Sequence, residues 1–150
     1  GGRIRTEDGG ASDETTTKNI TISSNLINIY EVSSFCYGIF LDAHVSNDCG
    51  AATDFTIVGN LIMNAFGGII VQEPESGAPA ANVIENFSII GNLITDDQAS
   101  STYGIYVGDD DTDIKYGTIL GNLLVNMPTP ITNGNPTYII QAHNLQYVGS

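Results

Sequence analysis

The sequence predicts an all-β chain that winds into a solenoid of four to five coils. One short phrase, Ile-Thr-Ile-Ser-Ser-Asn-Leu-Ile in its first copy, occurs four times, at residues 20–27, 55–62, 87–94 and 117–124. Its asparagine recurs at steps of 35, 32 and 30 residues, and such a period is typical of repeat architectures. No segment of the repeat has the spacing of an amphipathic helix, so each coil is predicted to consist of short strands joined by turns.

The first strand of each coil alternates apolar and hydroxyl-bearing residues, as where Phe55 and Ile57 flank Thr56. Successive side chains of a strand point to opposite faces, so the apolar pair is predicted to lie inside the coil and the hydroxyl outside. The outward hydroxyl rank consists of Thr21, Thr56, Ser88 and Thr118.

A second strand phrase begins with glycine at residues 38–41, 68–71 and 104–107, and Pro130-Ile131 stands in its place in the fourth coil. The same alternation predicts that Phe40, Ile70 and Tyr106 point outward. Polar stretches follow this strand, and they are predicted to be the variable loops of one face.

An asparagine follows the turn of every coil. A turn that bends inward leaves backbone groups without partners, and a buried amide side chain can satisfy them. We therefore predict a structural role for Asn25, Asn60, Asn92 and Asn122. The residue before each asparagine is Gly59, Gly91 or Gly121, with Ser24 as the exception, and glycine suits the positive φ of such a bend.

Over residues 17–133 the repeat resembles the right-handed parallel β-helix repeat shared by pectate lyases, polygalacturonases and phage tail spikes. The resemblance implies a right-handed parallel β-helix in which the asparagines form a stacked ladder. We expect one domain over 1–150, with an incomplete coil at 1–16, regular coils at 17–133 and a degenerate coil or cap at 134–150. The first residues already have the pattern of a coil, so the chain is expected to be part of a longer solenoid.

Charge narrows the classes of partner. The net charge is −13 with four Lys and Arg residues, which argues against nucleic acid and anionic membrane surfaces. No apolar run is long enough for a membrane span. Cations or neutral glycans fit this balance better. A polysaccharide or a cell-surface glycan is the expected partner, and an extracellular or virion-surface location is expected.

Two groups of residues leave alternatives open. The acidic loop with Asp109, Asp110, Asp111 and Asp113 could supply the oxygen ligands that Ca²⁺ prefers, or it could be a solvated turn. Cys36 and Cys49 could form a disulfide, which would add about 3 kcal/mol for a loop of this size, or they could remain two thiols.

The resemblance also bears on catalysis. Polygalacturonases carry Asn-Thr-Asp, Asp-Asp and Gly-His-Gly motifs, none of which matches here, although Asp96 and Asp97 form one candidate carboxylate pair. Residues 2–6 are similar to the Arg-Ile-Lys strand with which those enzymes hold an acidic sugar, which implies carbohydrate binding by Arg3 and Arg5. A lyase would need a basic residue, and the later coils contain only Lys115.

His44 and His143 have no neighbouring nucleophile or ligand set in the sequence and are expected at the surface.

Apolar residues on the outside of the coils indicate a surface that packs against something else. Two neighbouring positions of the turn strand are apolar in every coil. One rank is the leucine at positions 26, 61, 93 and 123, and the other is the residue after it, at positions 27, 62, 94 and 124. Because successive side chains point to opposite faces, alternation cannot bury both ranks. One rank either packs against other copies, as in a trimer, or lies under a loop.

We expect a non-catalytic part of a virion or cell-surface fibre that binds carbohydrate through Phe40, Tyr106, Arg3 and Arg5. The alternative is a polysaccharide-degrading enzyme, either a polygalacturonase-like glycoside hydrolase or a phage depolymerase.

Overall fold

The computed structural model describes residues 2–5, 17–29, 36–42, 52–72, 84–96, 103–108, 114–134 and 137–148. Within these ranges the chain forms strands and turns and no helix. The strands are β1 (Gly2–Arg5), β2 (Thr17–Lys18), β3 (Thr21–Ser23), β4 (Leu26–Asn28), β5 (Tyr37–Asp42), β6 (Ala52–Val58), β7 (Leu61–Met63), β8 (Gly67–Gln72), β9 (Ile84–Ile90), β10 (Leu93–Thr95), β11 (Tyr103–Val107), β12 (Ile114–Leu120), β13 (Leu123–Val125), β14 (Thr129–Asn133), β15 (Ile139–Ala142) and β16 (Leu145–Tyr147).

The strands stack into three parallel sheets. Sheet A has the order β1-β5-β8-β11-β14, sheet B has β2-β6-β9-β12-β15 with β3 also paired to β6, and sheet C has β4-β7-β10-β13-β16. Each full coil gives one level to each sheet, and equivalent residues lie in register, as Leu61, Leu93 and Leu123 do. The predicted parallel β-helix is thereby confirmed. Its right-handed winding stays a prediction, in line with the strong preference of parallel crossovers for that hand.

The core fills the space between the sheets, and each inward-facing strand position contributes one column of side chains to it. In sheet B the predicted alternation holds, because Ile57, Ile89 and Ile119 are fully buried while Thr118 lies outside and donates to Ser88 Oγ at 3.1 Å. Such burial of branched side chains is the main favourable term in the stability of this fold.

A second inward column of sheet B is aromatic. The rings of Phe55 and Phe87 stack with centroids 5.2 Å apart and an interplanar angle of 6°. Gly117 occupies the next level, where a Cβ atom would collide with the Phe87 ring. Because Gly117 has no side chain, there is room at this level for the Phe87 ring.

The asparagines form a directional hydrogen-bond ladder. Asn92 donates its backbone N–H and its Nδ2 to Oδ1 of Asn122, at 2.9 and 3.0 Å. Asn60 donates in the same way to Asn92, at 3.0 and 2.9 Å, and Asn25 donates to Asn60. The residues before the asparagines have positive φ, including Gly91 at 62° and Ser24 at 57°.

The ladder continues into the last coil. Asn122 donates to Oδ1 of Asn144 from both its N–H and its Nδ2, each at 2.9 Å, and His143 before it has a φ of 55°. Residues 139–147 therefore form two further strands at the regular level of a coil. Their outward residues Ile140 and Leu145 are well exposed.

The two apolar ranks of the turn strand separate to opposite faces. Ile62, Ile94 and Leu124 are buried inside the coil. The leucine rank forms an outward column on sheet C at positions 26, 61, 93, 123 and 145. Leu26 is 69% exposed and Leu145 is 67% exposed, so no loop of the described chain covers the ends of this column.

Candidate functional site

Sheet A contains all four residues that the sequence predicts to bind carbohydrate. Arg3 lies in register with Phe40, Phe40 with Ile70, and Ile70 with Tyr106. Thr132 follows at the next level. The five positions form one column that runs along the solenoid axis, and neighbouring levels of such a column lie about 4.8 Å apart.

Four aromatic rings cover the centre of this face. The rings of Tyr37 and Phe40 stack with centroids 5.0 Å apart at an angle of 17°, and those of Tyr103 and Tyr106 lie 5.0 Å apart at 54°. All four side chains are partly exposed. Tyr37 and Tyr103 occupy a second column beside the first, with Gly67 between them. We call Tyr37, Phe40, Tyr103 and Tyr106 the aromatic patch.

Ile70 lies beneath the patch rather than in it. The sequence places it in the outward apolar rank, but only 3% of the residue is exposed. Its Cδ1 atom and the Tyr37 ring both lean over Gly67, where a Cβ atom would come within 2.7 and 2.9 Å of them. Ile70 is therefore covered, and the Tyr37 ring of the preceding coil lies close to it above Gly67.

A kink in sheet A places Tyr37 and Tyr103 on the outer face, which strict alternation does not predict. Strict alternation would place Tyr37 on the same side as the buried Ile39. Instead the register skips Gly38, whose Cβ position points into the core against Ile62. The kink lets residues three apart share the outer face, and the available signal in the sequence was the glycine at the second position of this strand, residue 38, 68 or 104.

Arg5 belongs to the adjoining column of register positions. It lies in register with Asp42, and Asp42 with Gln72. The structure describes the backbone of Arg3 and Arg5, and their side chains fall outside the described part. Register thus places three of the four expected carbohydrate-binding residues in one column and the fourth in the next.

Other candidate residues lie elsewhere. Asp96 follows β10 and is 1% exposed, while Asp97 falls outside the described residues, as do Asp109, Asp110, Asp111, Asp113, His44 and Cys49. Cys36 is partly buried, and its carbonyl accepts the Phe66 N–H at 2.8 Å. His143 is exposed in the last turn.

The described residues contain no group of three or more His, Cys, Asp and Glu side chains arranged to hold a metal ion. Lys115 lies on sheet B, with Nζ 3.5 Å from Glu85 Oε1, and so on a different face from the aromatic patch. In the part of the chain that the structure covers, no helix has the length and apolarity of a membrane span.

The geometry of the aromatic patch suits a ligand with both apolar and hydroxyl surface. Tyrosine presents an apolar ring and a polar hydroxyl on one rigid side chain. The patch spans three coils, or about 10 Å at the usual strand spacing. Comparison with protein-family models, with curated proteins and with solved structures found no match.

Proposed function

We propose that the chain is a β-helical part of a virion or cell-surface fibre and binds carbohydrate on the outer face of sheet A. The observation that carries the proposal is the aromatic patch, with two pairs of partly exposed rings on two coils that are separated by one level of the sheet. A pyranose ring offers C–H faces to aromatic rings and hydroxyls to tyrosine and threonine oxygens. Thr129 and Thr132 extend the two columns at the next level.

The charge of the chain supports a glycan over other polymers. With a net charge of −13, the protein repels nucleic acid at long range. Two of its four basic residues, Arg3 and Arg5, lie at the end of the patch by register. Guanidinium groups bind carboxylates well, so Arg3 could bind one carboxylate of a glycan that is otherwise neutral, since the net charge of the chain opposes a polyanion.

Tyr106→Ala and Phe40→Ala are expected to weaken binding to a panel of immobilised neutral and uronic-acid-containing polysaccharides. The loss should be about tenfold in affinity for each change, equivalent to about 1.4 kcal/mol, because each removes one ring of the patch. Tyr116→Ala is the matched control, since Tyr116 is 57% exposed on sheet B and should leave binding unchanged.

Binding can be measured by biolayer interferometry, with circular dichroism to show that each variant is folded. The proposal fails if the unmodified protein binds no polysaccharide of the panel, or if Tyr116→Ala weakens binding as much as Tyr106→Ala does. Loss of binding to the acidic polysaccharides alone in Arg3→Ala would support the acidic ligand.

We also propose lateral association of copies, as a trimer, through the leucine column of sheet C. Across the turn, the last residues of the sheet B strands form a column with Val58, Ile90 and Leu120, and neither column contains a charged residue. A contiguous apolar surface of this kind usually marks an interface.

Leu123→Asp is expected to reduce the particle mass in light scattering at low protein concentration from that of a trimer to that of a monomer. Leu123 is exposed, so the change introduces a charge into the interface without removing core packing. Thr118→Asp on sheet B should leave the mass unchanged. A monomeric unmodified protein under the same conditions would contradict lateral association.

The alternative function, a polysaccharide-degrading enzyme, rests on the same face. Asp42 lies in register beside Arg5 at the edge of the patch. Release of reducing ends from a bound polysaccharide, lost in Asp42→Asn, would favour the enzyme over the fibre.

A further inference from the structure

Two asparagines of sheet B differ from those of the ladder. The ladder residue Asn92 is buried, and its Nδ2 donates to the Ile57 carbonyl and to Asn122. Asn19 and Asn86 are exposed, and no hydrogen bond joins either side-chain amide to another described residue. Their Nδ2 atoms are therefore open to a reactant that approaches from solution.

A kink in the strands of sheet B holds both side chains outside. Asn19 has a φ of 59° and Asn86 has a φ of 54°, in the left-handed region that asparagine tolerates. The parallel pairing skips this position in each coil, as it does at Asp54, whose neighbours Thr53 and Phe55 both pair with the next coil. A residue at the kink therefore faces solvent although the sheet continues on both sides of it.

A hydroxyl-bearing residue follows each of these asparagines at the second position. Residues 19–21 are Asn-Ile-Thr and residues 86–88 are Asn-Phe-Ser. Both match the acceptor pattern for N-linked glycosylation, Asn-x-Ser or Asn-x-Thr with any x except proline. The one other asparagine with Ser or Thr at that distance is Asn135, where Pro136 breaks the pattern. Both acceptor patterns of the chain therefore fall on the same kink of sheet B.

The alternation after Asn86 places the whole pattern on the outer face. Phe87 points into the core and is 1% exposed, so Ser88 lies outside with Asn86. Ser88 Oγ accepts the Thr118 hydroxyl at 3.1 Å, within the outward hydroxyl rank. A sugar attached to Asn86 would therefore extend into solvent and displace no buried side chain.

The two acceptors leave the other proposed surfaces open. Asp54 occupies the kink of the coil between them, so Asn19 and Asn86 lie two levels apart, or about 9.6 Å at the usual spacing. The aromatic patch lies on sheet A. Ile90, at the edge of sheet B toward the leucine column, is four residues from Asn86, or about 13 Å along the strand. Glycans at the kink would block neither surface.

We propose that Asn19 and Asn86 are sites of N-linked glycosylation. The donor is an oligosaccharide linked through a diphosphate to a membrane lipid, and the secretory route of a eukaryotic cell supplies it together with the transferase. Nδ2 bonds to C1 of the first sugar, the bond from C1 to the diphosphate oxygen breaks, the lipid diphosphate leaves, and one amide proton passes to a basic group of the transferase. The proposal depends on the cell-surface location proposed above, and not on carbohydrate binding by the aromatic patch.

The experiment secretes the full chain from insect cells behind a cleavable signal sequence. Gel mobility and intact mass are expected to show two glycans, both removed by peptide N-glycosidase without denaturation because both sites are exposed. Asn86→Gln should lose one glycan. Ser88→Ala should lose the same glycan although it retains the asparagine, and circular dichroism should show the β spectrum in each variant.

A secreted protein in which either asparagine carries no glycan would overturn the proposal. Glycans that are released only after denaturation would contradict the exposed kink on which it rests. The same preparation separates this proposal from the binding function, since two glycans on a protein that binds no polysaccharide would contradict the binding function alone.

Asp54→Asn tests the kink itself as an acceptor position. Asp54 has a φ of 58° and Thr56 stands two residues later, so this change completes the acceptor pattern on the intermediate coil. The background protein with Asn19→Gln and Asn86→Gln should carry no glycan, and Asp54→Asn should restore one. Adding Thr56→Ala should remove it again. A background protein that still carries glycan, or no gain with Asp54→Asn, would contradict the proposal.

Discussion

Asn92→Ala is expected to reduce the free energy of unfolding by about 3–5 kcal/mol. The change leaves two or more buried polar groups without hydrogen-bond partners, and each such group costs about 1–3 kcal/mol. The side chain is 1% exposed. Its Oδ1 accepts from the Asn60 N–H and Nδ2 at 3.0 and 2.9 Å, and its Nδ2 donates to the Ile57 carbonyl at 3.0 Å. Alanine leaves the Asn60 N–H and the Ile57 carbonyl without these partners in a place that water does not reach.

Asn25→Ala is the matched control for this prediction. Asn25 is exposed at the first level of the ladder, and its Nδ2 donates to Asn60 Oδ1 and the Ser23 carbonyl. Asn60 Oδ1 keeps the backbone N–H of residue 25 as a donor, so the loss should be about 1 kcal/mol or less. Both values can be taken from urea unfolding, where a lower midpoint at constant m-value reports stability. Equal losses for the two variants would show that the ladder adds nothing beyond its exposed end.

The repeat allowed the ladder and the parallel stacking of the coils to be predicted, because both depend on local pattern at a fixed period. An asparagine after every turn occupies the same place in every coil, and parallel stacking converts that sequence spacing into a hydrogen-bonded column. Even the weak fifth copy follows the rule, since Asn144 accepts from Asn122 as its equivalents do.

Side-chain direction could be predicted only where the strand alternates strictly. Thr118 and Ile119 lie on the predicted sides of sheet B. In sheet A the glycine kink interrupts the period of two, so Tyr37 joins Phe40 on the outer face. Phe40 and Tyr106 could be predicted from alternation alone, whereas Tyr37 and Tyr103 could be predicted only from the glycine that follows each of them.

The burial of Ile70 could not be derived from its own coil either. The Tyr37 ring of the preceding coil lies close to its Cδ1 atom above Gly67, and contacts between coils depend on the direction in which side chains lean rather than on sequence spacing. The same holds for Gly117, whose missing side chain makes room for the Phe87 ring of the neighbouring coil. Neither contact can be predicted from the sequence of a single repeat unit.

The glycine kinks connect the core to the proposed binding face. At Gly38, Gly68 and Gly104 the backbone turns its Cβ position toward the inward side chain of sheet C. This close approach of sheets A and C leaves the preceding residue outside, where Tyr37 and Tyr103 contribute to the aromatic patch. The residue that permits tight packing inside is thus also the one that sets the direction of the rings outside.

Gly68→Ala is therefore expected to reduce the free energy of unfolding by about 3 kcal/mol, at the upper end of the usual range for overpacking of about 1–3 kcal/mol. The new Cβ would lie 2.5 Å from the Gly104 carbonyl oxygen and 2.5 Å from Ile94 Cγ2. The carbonyl belongs to the backbone of the next coil and cannot rotate away as a flexible side chain could. The strand should shift, and polysaccharide binding by the aromatic patch should weaken along with stability.

Gly91→Ala separates this steric effect from the backbone preference of glycine. Gly91 has a φ of 62°, and a Cβ there would meet no atom within 4 Å. Its cost should be about 1–2 kcal/mol, the usual penalty for an L-residue in the left-handed region. Gly91→Asn should cost less, because asparagine tolerates that region and Asn64 and Asn126 adopt a φ of 58° in this chain. If Gly68→Ala unfolds at the same urea concentration as Gly91→Asn, sheets A and C do not approach as closely as the kink requires.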